Sequence, residues 1–190
     1  MREIDDMTTQ TEVPCRKVWA MPAANGDTFL VPQIRAFIDP YLKPGAVVVD
    51  PFARNCKLGT ITNDLNPATE AQYHMDSVDF LLMLEKQGTK ADVVLFDPPY
   101  SPRQIKELYD SIGLKTCKET AHRSASWKNE RDVITRIMKP GGVVLSFGWN
   151  TLGMGKKRGF IQKEILVVCH GAAHNDTLCV ADQRDDDLFV

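Results

Sequence analysis

Val93-Val94-Leu95-Phe96-Asp97-Pro98-Pro99-Tyr100 is the stretch on which the reading of this chain turns. Four consecutive apolar residues, cut off by an aspartate and two prolines, make a run of strand length that stops too soon for a helix. A run without polar alternation suits a strand buried on both faces, as in a parallel sheet. Directly after it, Ser101-Pro102-Arg103-Gln104 has the signs of a helix start. A serine cap is followed by proline at the first helical position and by glutamine three residues after the cap. Gly113 is the matching stop.

Working outward, the same sentence repeats. Val47-Val48-Val49 ends in Asp50, Thr60-Ile61-Thr62-Asn63 in Asp64, and Tyr73-His74-Met75 in Asp76. A helix is predicted after Asp76 through Phe80, Leu81 and Leu84. Another is predicted from Pro32, with Ile34, Phe37, Ile38 and Leu42 at helical spacing and Pro44-Gly45 as its end. Downstream, residues 114–123 read as loop, and Ser126 opens an amphipathic helix through Trp127, Ile134, Ile137 and Met138. Pro140-Gly141-Gly142 stops that helix before a strand over Val143–Phe147. Two strand-like runs, Ile165–Cys169 and Thr177–Ala181, close the chain as a hairpin across a turn bearing Gly, Asn and Asp. The expectation is an open, doubly wound, mainly parallel α/β sheet in which the terminal hairpin sets one strand antiparallel. Ligands of such sheets bind beyond the carboxyl ends of the strands, which is where the four aspartates fall.

The tetrapeptide 97–100 carries a specific chemistry. An adenine or cytosine amino nitrogen is a poor nucleophile because its lone pair is delocalised into the ring. Accepting hydrogen bonds from both of its N–H groups makes the nitrogen more tetrahedral and frees the pair. The Asp97 carboxylate is one acceptor and the Pro98 carbonyl a second, held still by two residues whose φ is fixed. Tyr100 offers an aromatic plane to a base lifted from its stack. The alternative is a Pro-Pro turn after a strand with an ordinary capping aspartate.

With 190 residues, 43% hydrophobic and 25% charged, the chain suits one domain over 19–190, with residues 1–18 read as a disordered tail. No apolar run reaches about 18 residues, so no membrane span is expected. The acidic, polar start argues against a secretory signal. Five cysteines (15, 56, 117, 169 and 179) at irregular spacing read as reduced thiols of a cytoplasmic protein. The net charge of −2 hides a reversal. Residues 1–100 hold 9 Lys/Arg against 14 Asp/Glu, residues 101–163 hold 13 against 5, and residues 164–190 hold 1 against 6. The basic excess begins just after Tyr100. It is either the solvated face of amphipathic helices or the footprint of a polyanion. Cys169, His170, His174 and Cys179 match no common zinc spacing, so no metal is expected. No Pro-Cys nucleophile stands beside Asp97, which favours direct transfer to nitrogen over attack through a ring carbon.

On these residues the chain resembles the class I S-adenosylmethionine-dependent amino-methyltransferases, particularly small phage-type adenine-specific DNA methylases with a DPPY motif. The similarity runs from about Trp19 to the final hairpin. It implies a Rossmann-like, seven-stranded methyltransferase fold and S-adenosylmethionine as cofactor. The implied activity is methyl transfer to an exocyclic amino nitrogen of a base, adenine N6 in DNA foremost. By the resemblance, Asp50, Pro51, Phe52 and Ala53 form the first cofactor motif. Asp64 with Leu65 binds the ribose hydroxyls, and Asp76 with Ser77 reads the cofactor adenine. Asp97 adjoins the cofactor, and Asp97, Pro98, Pro99 and Tyr100 are catalytic. Lys139-Pro140-Gly141-Gly142 resembles the turn before the fifth strand.

Two departures stand out. Where the family has Gly-Ser-Gly, this chain has Arg54-Asn55-Cys56, and the nine residues between Asp50 and Thr60 leave room for almost no helix. The methionine end of the cofactor is then expected to be held differently, with Trp19 and Phe29 as possible supports. There is also no room for a separate target-recognition region. Recognition falls to 101–126, with Arg103, and to the loop Thr151–Gly159, where Lys156, Lys157 and Arg158 are candidate phosphate contacts. Trp149 either stacks on a base or packs under that loop. An RNA amino-methyltransferase, a methyltransferase for a protein glutamine or small molecule, and a non-catalytic nucleotide-binding module are the rival readings.

Overall fold

The computed structural model describes residues 12–22, 27–115, 127–172 and 174–185. Seven strands form one sheet: β1 (Cys15–Trp19), β2 (Val48–Asp50), β3 (Ile61–Thr62), β4 (Ala91–Phe96), β5 (Met138–Gly148), β6 (Phe160–Cys169) and β7 (Thr177–Arg184). Their order is β1-β6-β7-β5-β4-β2-β3. Only β7 runs against the rest, paired antiparallel with both β5 and β6. The described helices are α1 (Pro32–Ile38), α2 (Ser77–Lys86), α3 (Pro102–Ser111) and α4 (Lys128–Ile137).

The strand pattern explains the layers. Successive side chains on a strand point to opposite faces. Val49, Val94, Phe96 and Val144 therefore meet Phe80, Leu84, Ile134 and Ile137 of α2 and α4 on one face. Val48, Val93, Leu95 and Leu145 meet Ile34, Phe37 and Ile38 of α1 on the other. Both faces are covered, so β2 and β4 read as unbroken apolar runs. At the amino ends of the strands, Asp92 accepts from the Val47 amide at 2.8 Å and from Lys139 Nζ at 2.7 Å, tying β2, β4 and β5 together.

Three expectations need correction. The tail predicted over 1–18 gives way at Cys15, because β1 pairs in parallel with β6 along the sheet edge. Tyr73-His74-Met75 is no strand; it makes a single bridge, Asn63 to Tyr73. Side chains do the pairing there instead. The buried Asn63 amide donates to the Pro51 and Met75 carbonyls at 3.1 and 3.0 Å, and its oxygen accepts from the Met75 amide. Gln72 and Thr62 exchange two further bonds. The seven strands are reached with β1 in place of the run at 73–75. Third, α4 starts at Lys128, with Trp127 before it in the left-handed region at φ 45°. Ser126 and the loop expected from 116 to 123 lie outside the described residues.

Candidate functional site

From β2 the chain moves outward to β3 and then returns to β4 on the opposite side, so strand order reverses between β2 and β4. A crevice opens at the carboxyl ends of such a pair. Asp50-Pro51-Phe52 leaves β2 there, and Asp97-Pro98-Pro99-Tyr100 leaves β4.

The segment between β2 and β3 contains no helix. It is a loop held by side chains. Asp50 Oδ1 accepts from the Phe52 amide at 3.0 Å, and Asp64 Oδ2 accepts from the Arg54 amide at 3.0 Å. Asn55 Oδ1 accepts from the Glu70 amide at 2.9 Å. The Ala53 amide donates to the Asn63 carbonyl at 2.8 Å, fixing this buried alanine over β3. Gly59 is required by close approach. A Cβ there would lie 2.8 Å from the Thr62 methyl and 3.0 Å from the Asp50 Cβ.

One cavity is lined by Pro51, Phe52, Asp64, Leu65, Asp76 and Ser77, together with Pro99. Trp127 closes it, edge-on to Phe52 with ring centroids 5.4 Å apart. Apolar rings with two carboxylates at the rim suit a flat heterocycle carrying donor N–H and O–H groups. Both carboxylates are partly engaged. Asp76 Oδ1 caps α2 through the Val78 amide at 2.9 Å, and Asp64 Oδ1 takes the Asn66 amide at 2.8 Å. A carboxylate has about four acceptor positions, so each keeps capacity for a ligand. Ser77 lines this cavity. Its hydroxyl donates at 3.0 Å to the buried Glu130, a carboxylate that helical spacing alone does not place at this site.

A second cavity spans Asp64, Asp97, Pro98, Pro99 and Tyr100, and a third lies between residues 27–30 and the loop 52–58, with Asp97 on its wall. Asp97 is therefore shared between them. The Tyr100 hydroxyl donates to Asp97 Oδ1, and the Thr28 hydroxyl bonds the same carboxylate. Burial raises the Asp97 pKa above the usual range, while these two bonds and the charge of Arg54 pull the other way. Asp50 is completely buried, and burial pushes its carboxyl well up, helped by the charges of Asp97 and Asp64. Its Oδ2 has no hydrogen-bond partner. Burial and the neighbouring carboxylates both favour the neutral form of Asp50.

The helix start predicted at Ser101 forms, and α3 also braces the tetrapeptide. Ser101 Oγ caps the helix by accepting from the Gln104 amide, and Gln104 Oε1 accepts from the Tyr100 amide at 2.6 Å. Trp149 is 44% exposed and sits edge-on to Tyr100 at 5.7 Å, so it stands at the opening and is not packed under the loop. Phe29 joins the third cavity and packs on Phe147, but Trp19 is 68% exposed at the sheet edge and takes no part.

The candidate phosphate contacts separate. Arg103 lies on exposed α3 beside the site, paired with Glu107 at 2.7 Å. Lys156–Arg158 form a short turn preceding Phe160, which pairs with Arg184 toward the amino end of β5. The crossover 149–159 therefore carries these three to the end of the sheet away from Asp97. Arg158 is committed there, to Asp132 at 2.8 Å and the Met154 carbonyl at 3.2 Å. His170 is likewise occupied, its ring nitrogens meeting the Ala20 carbonyl and the Thr177 hydroxyl. Among the described residues no three His, Cys, Asp or Glu side chains gather as a metal site.

No protein-family model and no curated protein matches the sequence. Solved structures do match the fold. An S-adenosylmethionine-dependent methyltransferase from Streptococcus mutans superposes with TM-score 0.53 at 12% identity over 80% of this chain and 48% of its own. TrmN from Thermus thermophilus gives 0.51 at 16% identity over 83% and 50%. NSun6 from Pyrococcus horikoshii, solved with SFG, gives 0.50 at 12% over 76% and 50%. The architecture is thus the Rossmann-like methyltransferase fold. This chain spans about half the length of these proteins.

Proposed function

We propose that the protein transfers a methyl group from S-adenosylmethionine to an exocyclic amino nitrogen of a nucleic-acid base, adenine N6 in DNA. The observation that carries this reading is Asp97-Pro98-Pro99-Tyr100 at the carboxyl end of β4, opening on cavities that also hold Asp64. The residues suit the cofactor: a flat apolar slot with Asp64 and Asp76 at its rim for the adenosine. When bound, S-adenosylmethionine supplies an electrophilic methyl on a sulfonium sulfur.

The protein's part is positioning and electrostatics. Asp97 accepts one N–H of the target amine and the Pro98 carbonyl the other, restoring lone-pair density to the nitrogen. Tyr100 and Trp149 present ring surface to an extruded base. Holding nitrogen and methyl in line accounts for much of the rate.

Labelled-methyl transfer to DNA, RNA and protein, followed by nucleoside analysis, tests the reading. Labelled N6-methyladenosine from RNA alone would replace DNA with RNA, and label in protein alone would overturn the base assignment. Asp97→Ala is expected to lower transfer by at least about a hundredfold while S-adenosylhomocysteine binding persists. Full activity in that variant sinks the mechanism.

A further inference from the structure

The cavity between residues 27–30 and the loop 52–58 is not accounted for by the base chemistry. Its wall carries an ion pair, Arg54 Nη1 to Asp27 Oδ1 at 2.6 Å. Two other cations reach the same wall, but Arg35 pairs with Asp39 and Lys57 with Glu70, and neither acid lines the cavity. Arg54 and Asp27 alone contribute both members of a pair.

Arg54 also sits where its backbone is at a disadvantage. Its φ is 50°, in the left-handed region that a glycine occupies freely and an L side chain occupies at a cost. The Arg54 amide needs this shape to reach Asp64 Oδ2. A glycine would supply the turn more cheaply, so the guanidinium is the part of Arg54 that the position does not explain. A cation and an anion side by side in one wall match a zwitterionic α-amino-acid group. The planar fork takes a carboxylate with two parallel bonds, and the carboxylate takes an ammonium.

Resting on the cofactor reading above, we propose that Arg54 and Asp27 hold the amino-acid end of S-adenosylmethionine. Arg54 binds its carboxylate and Asp27 its ammonium. The side-chain pair thereby replaces the glycine turn that the loop lacks, and residues 27–30 become part of the cofactor site.

Calorimetry with two probes tests this. S-adenosylhomocysteine carries the amino-acid group, and 5′-methylthioadenosine has the same nucleoside without it. Arg54→Gly suits the left-handed backbone, and Asp27→Asn keeps the shape of the partner. Each is expected to weaken S-adenosylhomocysteine about 10- to 100-fold and leave 5′-methylthioadenosine unchanged. Equal losses for both probes, or no loss for either, overturn the proposal. So does a wild-type protein that binds both probes equally well, which leaves the cofactor reading standing. A wild-type protein that binds neither probe removes the cofactor reading and the proposal with it.

Discussion

Asp97 and Tyr100 are joined by a hydrogen bond that bears directly on catalysis. The tyrosine hydroxyl occupies one acceptor position on the carboxylate and leaves others for the target amine. The bond also stabilises the ionised form of Asp97, whose pKa burial has raised. An acceptor must be ionised, so transfer is expected to fall on the acid side, through a pKa above the ordinary carboxylate range. Tyr100→Phe keeps the ring and removes the hydroxyl. Its acid limb should move to higher pH, because one influence lowering the Asp97 pKa is gone. A pH profile of kcat/KM at saturating cofactor reads this directly, and an acid limb that stays put would detach Asp97 from the profile. At this scale the sequence was informative wherever residue type and spacing fix the chemistry, as in 97–100 and the Ser101–Gln104 brace. It was silent on Trp127 and Glu130, because a tryptophan before a helix and a glutamate within one look the same whether they line a cavity or face solvent.

Elements differ in what makes them legible. β2, β4, α1 and α2 are encoded by apolar periodicity, and burial follows it closely. β1 is not, since Cys15–Trp19 alternates weakly and is mostly exposed. It gains its place from the free edge of β6, a partner over a hundred residues away. The run at 73–75 fails as a strand because the Asn63 side chain takes both backbone groups of Met75, while Gln72 takes the Thr62 amide and the Thr60 carbonyl on the facing segment. The crossover 149–159 is anchored in a way periodicity does not show. Asp182 of β7 is 1% exposed, accepts from the Met154 amide at 2.9 Å, and leaves room only for glycine at 153. Burial raises its pKa to about 6, against the pull of the Met154 amide and Arg131. The folded state therefore holds this proton more tightly than the unfolded state, and stability falls as pH rises from about 4 to 6. The upper bound on that fall is roughly 3 kcal/mol. Asp182→Asn should flatten this part of the stability-against-pH curve in denaturant titrations. An unchanged slope would mean that Asp182 titrates normally.

At the scale of the whole molecule, the sheet has two ends with different electrostatics. The carboxyl end gathers Asp27, Asp50, Asp64 and Asp97 around the crevice, and the nearest described cations on α3 are Arg103 and Lys106. The basic turn 156–158 lies at the amino end. The charge reversal after Tyr100 is thus not one patch, although it is continuous in sequence, because a crossover from β5 to β6 must traverse the sheet from one end to the other. A nucleic acid offering a base to Asp97 meets α3, where Arg103 is 87% exposed. The pairs Arg103–Glu107 and Lys106–Asp110 are surface pairs of i,i+4 type, worth little on their own, so either cation can be exchanged onto a phosphate. Each phosphate contact adds about 0.9 to the slope of log affinity against log salt on duplex DNA. Replacing Arg103 and Lys106 with alanine should therefore reduce that slope by up to about 2, whereas replacing Lys156 and Lys157 should leave it unchanged. The reverse result would place the polyanion across the amino end of the sheet, too far from Asp97 to deliver a base to it.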